Sequence, residues 1–241
     1  SAGSLAINCN GNFSITGGSF NAGSSTLILD ATNGNGTFIG GVYVFNNVIF
    51  QSVSAVARTW TLGGGNITFN GNFELKAEGS GNLTVSGASN NPNLNILGNI
   101  DYTGTGTGTG SECISMGNGT WTVSGNVNFT GGTVNAGGST LVMNGNYKGL
   151  AGAGGTLNNL TISGIIGVNS NVTINGTLTV NGTKTLQIAD NYAVKMAAGS
   201  SVNLNGTIDG LGTLELVDSA GGNLGTSGTF RAKAKFHTVL A

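Results

Sequence analysis

The side chains best suited to acid–base, metal or nucleophilic chemistry are few in this chain: nine Asp and Glu, a single histidine and two cysteines. A polysaccharide-cleaving site needs two carboxylates held several ångströms apart, usually with a basic residue in the same groove. Here the acids stand at 30, 74, 78, 101, 112, 190, 209, 215 and 218, so only a fold that stacks distant segments can bring any two together. His237 lies close to the C-terminal end of the sequence, away from both cysteines, and supplies neither a nucleophile–histidine pair nor a histidine-based metal site. Gly-Gly pairs are followed by Asn, Thr or Ser rather than by the Asp of calcium-binding nonapeptides, and no phosphate-cradling P-loop is present. The expectation is a protein without catalytic residues, metal or cofactor.

Other residues invite binding or modification. Asn-x-Ser/Thr acceptors occur at Asn12, Asn35, Asn66, Asn82, Asn118, Asn128, Asn159, Asn171, Asn175, Asn181 and Asn205. They are candidates for N-glycosylation in a secreted protein. A turn-rich Asn-Gly-Thr idiom also generates them for purely conformational reasons. Trp60, Trp121, Tyr43 and Tyr147 are candidate sugar-stacking aromatics. The pairs Thr59/Thr61, Thr120/Thr122 and Thr177/Thr179 resemble the Thr-x-Thr arrays of some ice-binding proteins, although Thr is also simply a good strand former. Cys9 and Cys113 invite a disulfide. The segment Thr229 to Leu240 carries Arg231, Lys233, Lys235 and His237 on an alternating pattern. It reads either as a solvated last strand blunted by charge or as a segment that docks onto a neighbouring copy by strand addition.

The elements that would position these residues follow from repetition. Residues 11–30 read GNFSITGGSFNAGSSTLILD, and residues 125–144 read GNVNFTGGTVNAGGSTLVMN. Beneath this long repeat runs a shorter signature, a small or polar pair followed by apolar, polar, apolar: GNFSI, GNITF, GNFEL, GNLTV, GTWTV, GNVNF, SNVTI, GTLTV and GTLEL. Alternation of period two marks half-buried strands, and the flanking Asn-Gly and Gly-Gly pairs mark bends. Helical spacing is nearly absent, with 191–198 the one doubtful stretch. The class is all-β.

Spacing refines the class. Ile67/Phe69 precede Phe73/Leu75 by six residues, and the same interval recurs at Leu94/Ile96 to Ile100/Tyr102, Trp121/Val123 to Val127/Phe129 and Val172/Ile174 to Leu178/Val180. Six residues are too few to reverse a strand into a hairpin and suit a corner between two walls of a coil. The expectation is a single-stranded parallel β-helix of roughly ten rungs, with two antiparallel β-sandwiches as the alternative. The solenoid would span residues 1–228, with segments 11–85 and 125–188 related by duplication and 229–241 as a C-terminal strand or docking segment. Asn at corners could form ladders, as in other regular β arrays. One proline in the whole chain agrees with this, because interior rungs need every N–H. Residues 103–110, TGTGTGTG, read as an extended loop. At roughly 20–25 residues per coil, Cys9 and Cys113 lie four to five coils apart, on the order of 20 Å. A disulfide needs Cα atoms within about 7 Å, which leaves two small core residues or a bond between subunits.

Charged residues make up only 7% of the chain with a net charge of −1, which offers no basic footprint for nucleic acid and no polybasic stretch for anionic lipid. No apolar run is long enough to cross a bilayer as a helix. Asn, Thr, Ser and Gly take the place that Lys and Glu hold in cytosolic proteins, a balance expected outside the cell or on its surface, and the opening SAGS suits a mature end after export. The GN-x-x-x rungs and TGG(S/T)xNAG blocks, over most of residues 5–218, resemble the β-helical repeats of filamentous-haemagglutinin-type and autotransporter-passenger adhesins. The resemblance implies an extracellular structural or adhesive role, as a fibre, filament or surface layer whose first partner is a copy of itself. A carbohydrate-binding module, with surface glycans as partners, and less so a polysaccharide-degrading enzyme are the alternative readings.

Overall fold

The structure is a computed structural model and describes residues 6–102, 111–152, 155–217 and 227–237. Among these residues there is no helix, and the chain coils through about ten turns that lay strands onto three faces. The first face runs through eleven strands from Ala6–Asn10 to Thr229–Phe230, and the second through eleven from Phe13–Ser14 to Lys233–His237. The third holds eight, from Val44–Phe45 to Ser201–Leu204. Each strand pairs in parallel with the strand one coil away, as Val48 does with Phe73 and Phe73 with Ile100. Antiparallel sandwiches are thereby ruled out. Residues 191–198, the doubtful stretch, contain the strand Ala193–Met196. The TGTGTGTG segment lies outside the described residues.

Alternation decides what faces inward. Phe73–Ala77 buries Phe73, Leu75 and Ala77 and turns Glu74 and Lys76 outward. Trp60, Trp121, Phe38, Phe50, Phe69 and Phe73 are fully buried, and rings contact along the axis, Phe38 to Phe69 at 6.1 Å, Phe69 to Phe73 at 5.5 Å and Phe73 to Trp121 at 5.8 Å. Beyond Phe129 the core is aliphatic, built of residues such as Leu141, Ile162, Leu178 and Val202. Coil length follows this filling. The chain advances 25 residues from Val48 to Phe73 and 27 from Phe73 to Ile100, where rings fill the interior, but only 18 from Leu150 to Val168. Gly36 faces inward directly against the Trp60 ring in the adjacent coil; a side chain there would occupy the space of the indole.

The six-residue intervals are the corners. Three of them turn from the third face to the first, and Val172/Ile174 to Leu178/Val180 turns from the second to the third. At the third-to-first corner Gly71, Gly98 and Gly125 stack directly on one another. Gly98 N–H donates to Gly71 O at 3.2 Å and Gly125 N–H to Gly98 O at 3.0 Å. A Cβ on Gly98 would strike the Gly71 carbonyl, and one on Gly125 the Gly98 carbonyl. Beside them runs a ladder of asparagines. The Oδ1 of Asn47 accepts the N–H of Asn72, that of Asn72 the N–H of Asn99, that of Asn99 the N–H of Asn126, and that of Asn126 the N–H of Gly149, at 2.8 to 3.0 Å. The Gly-Asn signature is thus a corner device. Glycine admits the neighbouring backbone, and asparagine satisfies an N–H that the bend turns away from the sheet.

The long repeat lands on different faces in its two copies. Phe13–Ser14 lies on the second face and Val127–Asn128 on the first; Thr26–Asp30 lies on the first and Thr140–Met143 on the third. Trp60 and Trp121 likewise sit on the second and third faces. The repeated unit is therefore one strand with its corner, and the three faces are interchangeable to it. Phe20, which has no strand of its own, packs its ring 5.1 Å from Phe45 of the third face and fills that position in the first coil.

Two predictions follow from the stacking. Gly98→Ala inserts a methyl against backbone and should cost about 1–3 kcal/mol, while Gly17→Ala, with open space around it, should change stability by less than about 0.5 kcal/mol. Trp121→Ala should cost about 3–5 kcal/mol. Thermal or denaturant unfolding of each variant measures these differences.

Candidate functional site

The coil sorts its outer surface by charge. On the first face, Asp30, Glu74, Lys76, Asp101 and Asp209 point outward, and on the second Lys195, Glu215, Lys233 and Lys235, while Arg58 and Lys148 stand in register with buried Leu83 and Ile166. The eight strands of the third face contain no charged residue. Their outward side chains form two columns. One runs Asn66, Asn93, Thr120, Thr140, Asn159, Thr177 and Ser201, and the other Val44, Thr68, Asn95, Thr122, Val142, Thr161, Thr179 and Asn203. The first column is bonded along the axis. Asn93 Nδ2 donates to Asn66 Oδ1 at 3.1 Å, Thr120 N–H to Asn93 Oδ1 at 2.8 Å and Thr177 N–H to Asn159 Oδ1 at 2.8 Å, while the Thr177 and Ser201 hydroxyls lie 2.9 Å apart. With a strand spacing of about 4.8 Å, eight strands give a neutral face roughly 34 Å long. All three Thr-x-Thr pairs hold a buried residue between their members, Trp60, Trp121 and Leu178.

The dispersed acids come only partly together. Asp101 pairs in register with Glu74, so two carboxylates stand on adjacent coils of the first face. Each has its own partner: Glu74 lies 3.9 Å from Lys76, and Asn128 Nδ2 donates to Asp101 at 2.7 Å. Asp30 accepts the Thr32 N–H at 2.8 Å and a bond from Gln51 Nε2 at 3.2 Å. Partial burial pushes its carboxyl up, but the hydrogen bonds from Thr32 and Gln51 outweigh this and hold it below the usual range. Glu112 is buried and accepts the Ala77 N–H at 2.9 Å. Asp218 lies outside the described residues. Among the described residues, no cluster of three or more His, Cys, Asp or Glu gathers as it would around a metal.

Within the basic C-terminal segment, Thr229–Phe230 is the last described strand of the first face and Lys233–His237 that of the second. Lys233–His237 pairs in parallel with Thr213–Val217. Lys233 lies 3.7 Å from Asp190, Lys235 lies 3.5 Å from Glu215, and His237 Nε2 lies 3.2 Å from Glu215 Oε2. These three side chains therefore reach carboxylates of the same chain; Arg231 N–H donates to Ile208 O. Such exposed pairs contribute little to stability.

The sugar-stacking expectation fails for both tryptophans, which are fully buried because the Thr-Trp-Thr alternation turns the ring inward wherever the hydroxyls face out. Tyr43 is half-buried and its hydroxyl donates to Gly18 O at 3.0 Å. Tyr147 is the exception, standing 85% exposed. Both cysteines are free thiols. Cys9 packs partly buried against the core from the first face, while Cys113 points outward on the second, flanked by Thr84 and Thr133. The fold does not bring these two cysteines together within one chain. The sequon asparagines are mostly structural. The Oδ1 atoms of Asn12, Asn35, Asn82, Asn118, Asn159 and Asn171 accept backbone N–H groups from the next coil. Asn66 accepts from Asn93, Asn128 and Asn181 donate to Asp101 and Ser163, and Asn205 accepts from Ser227; Asn175 is exposed.

Tyr102, on the first face, ties neighbouring segments together. Its hydroxyl donates to Thr133 O at 2.6 Å and accepts the Ile114 N–H at 3.1 Å, and its ring lies against Gly132. Burial, with Cys113 and Glu112 nearby, pushes its ionisation well above the usual tyrosine range.

No protein-family model, curated protein or solved structure matches this chain.

Tyr102→Phe leaves a buried N–H and a carbonyl without their partner and should cost about 1–3 kcal/mol. Because the folded state holds this phenol protonated, stability falls as pH rises past the free tyrosine value of about 10, where the unfolded chain ionises. Denaturant unfolding at about pH 8 and about pH 11 should show the gap between wild type and variant narrowing at the higher pH. Burial also pushes the Cys9 thiol up, so Cys113 should react with a thiol reagent before Cys9 in the folded protein. Mass-spectrometric mapping of the labelled cysteine reads the order.

Proposed function

We propose that this protein is an extracellular structural solenoid whose copies pack side by side through the third face, building a fibre or surface layer in the manner of adhesin stalks. The observation that carries the reading is the charge-free array across eight strands, built of Thr, Asn and Ser except at Val44 and Val142, on a chain whose other two faces both carry charge. A flat neutral face brought against its twin meets no like-charge repulsion and desolvates no ion. Its first column is already held by hydrogen bonds along the axis, so little side-chain freedom remains to be lost on contact. Two copies related by a twofold axis present the same columns to each other, the self-complementary arrangement of most homodimers.

Size sets the strength. A face roughly 34 Å by 13 Å buries about 900 Å² in total between two copies, close to the lower limit of about 1,000 Å² for a stable interface. A single pair is therefore weak, and association gains from repetition along many copies. The sequence composition, poor in Lys and Glu and rich in Asn, Thr and Ser, supports placement outside the cell.

Negative-stain imaging and sedimentation at rising concentration test this. Wild type should form laterally associated rods, and Thr122→Lys with Thr161→Lys should leave separate monomers with an unchanged melting temperature. Well-separated wild-type monomers at high concentration would sink the proposal.

A further inference from the structure

The third face is polar along most of its length but not at its first row. Val44, 41% exposed, heads the second column in register with Thr68, and Val42, 89% exposed, stands on the turn just before it. No other large apolar side chain among the described residues is as exposed as Val42. The core needs neither valine, because alternation turns Tyr43 and Phe45 inward and leaves both valines outside. Such side chains gain from being covered, in proportion to the apolar area removed from water.

A hollow lies at the same end of the face, on its other edge. The chain enters the third face from the second and leaves it for the first, so Val42 stands on the second-face edge. Asn70, directly after the strand Asn66–Phe69, marks the first-face edge. There Phe20, Ala22, Gly23, Val44 and Asn70 surround a hollow of about 180 Å³, with room for one branched aliphatic side chain. Phe20, Ala22 and Val44 are its apolar members. Knob and hollow therefore sit on opposite edges of one face, at one level along the rod. An apolar anchor in a pocket, with polar groups around it, is the usual anatomy of a contact that holds.

We infer that two copies of this chain pack through the third face parallel and in register, with Val42 of each seated in the hollow beside Val44 of the other. This arrangement rests on the lateral packing proposed for that face and fixes its polarity. A twofold axis along the rod exchanges the two edges of the face and keeps every row at its own height, so both knobs meet both hollows in one self-complementary contact. A twofold axis across the rod makes the copies antiparallel. It lays the valine row over Ser201 and Asn203 at the far end of the same columns. Asn203 has no side-chain hydrogen bond among the described residues, so its carboxamide would be covered by valine without a partner. Sliding antiparallel copies to avoid this shortens an overlap already near the lower size limit.

Charge complementation, read by sedimentation of the full chain, tests the polarity. Val42→Asp with Val44→Asp, and separately Val42→Lys with Val44→Lys, should each raise the concentration for half-assembly about tenfold or more, because like charges then face each other. Both positions are exposed, so the melting temperature should stay unchanged. Mixing the acidic with the basic variant should restore assembly, whereas mixing the acidic variant with Asn203→Lys should not. Rescue by the second mixture, or by neither, overturns the inference. Assembly that is abolished by Thr122→Lys with Thr161→Lys but indifferent to the valine variants also overturns it and leaves the packing proposal standing. Wild-type protein that stays monomeric overturns both.

Discussion

Successive coils of a parallel solenoid lie about 4.8 Å apart everywhere, including at the bends, and the rest of this molecule depends on meeting that spacing at the corners. Along a strand the backbone bonds hold the spacing without help. At a bend the peptide groups rotate out of the sheet, so the chain must both approach its neighbour closely and find new partners for the groups it turns away. Gly71, Gly98 and Gly125 solve the first problem by having no side chain where the neighbouring carbonyl sits. Asn47, Asn72, Asn99 and Asn126 solve the second, each carboxamide oxygen taking an N–H from the coil beyond. The abundance of both residue types, and much of the sequon count, traces to this one constraint.

Because the corners are standardised, the faces are free to differ. The interior accepts rings over one stretch and aliphatic side chains over another, with coil length adjusting to the volume. Outside, charge collects on two faces and leaves the third neutral, although the same strand unit builds all three. The duplicated block makes the point directly: residues 11–30 and 125–144 share most of their sequence but occupy different faces. A strand that faces inward correctly works on any wall, so copying could lengthen the rod without preserving which wall a segment joins.

Much of this was legible in the residues. The six-residue interval between Ile67/Phe69 and Phe73/Leu75 announced a corner rather than a hairpin, and alternation assigned the inward set. Trp60 and Trp121 show where alternation was left ambiguous: Thr-Trp-Thr fits either parity, and only the fold shows that the threonines face out and the rings are buried. The outward glycines of the first face were harder to read. Gly149 and Gly167 lie 18 residues apart, and their one local signal is position inside a strand, in KGL and IIGV, where glycine is normally disfavoured.

The sequence by itself determined the local rules, namely which residues face inward, where the chain bends and how the bend is satisfied. These depend on neighbours two to six residues away, and period and turn chemistry express them directly. Only the tertiary structure decided which segments share a face, since that depends on the summed length of every intervening corner. A coil of 18 residues and one of 27 follow the same local rules but place the next strand equally well on its wall. The neutral third face, the Glu74–Asp101 neighbourhood, the separation of Cys9 from Cys113 and the register pairing of Gly149 with Gly167 are all consequences of that running sum, which no local pattern records.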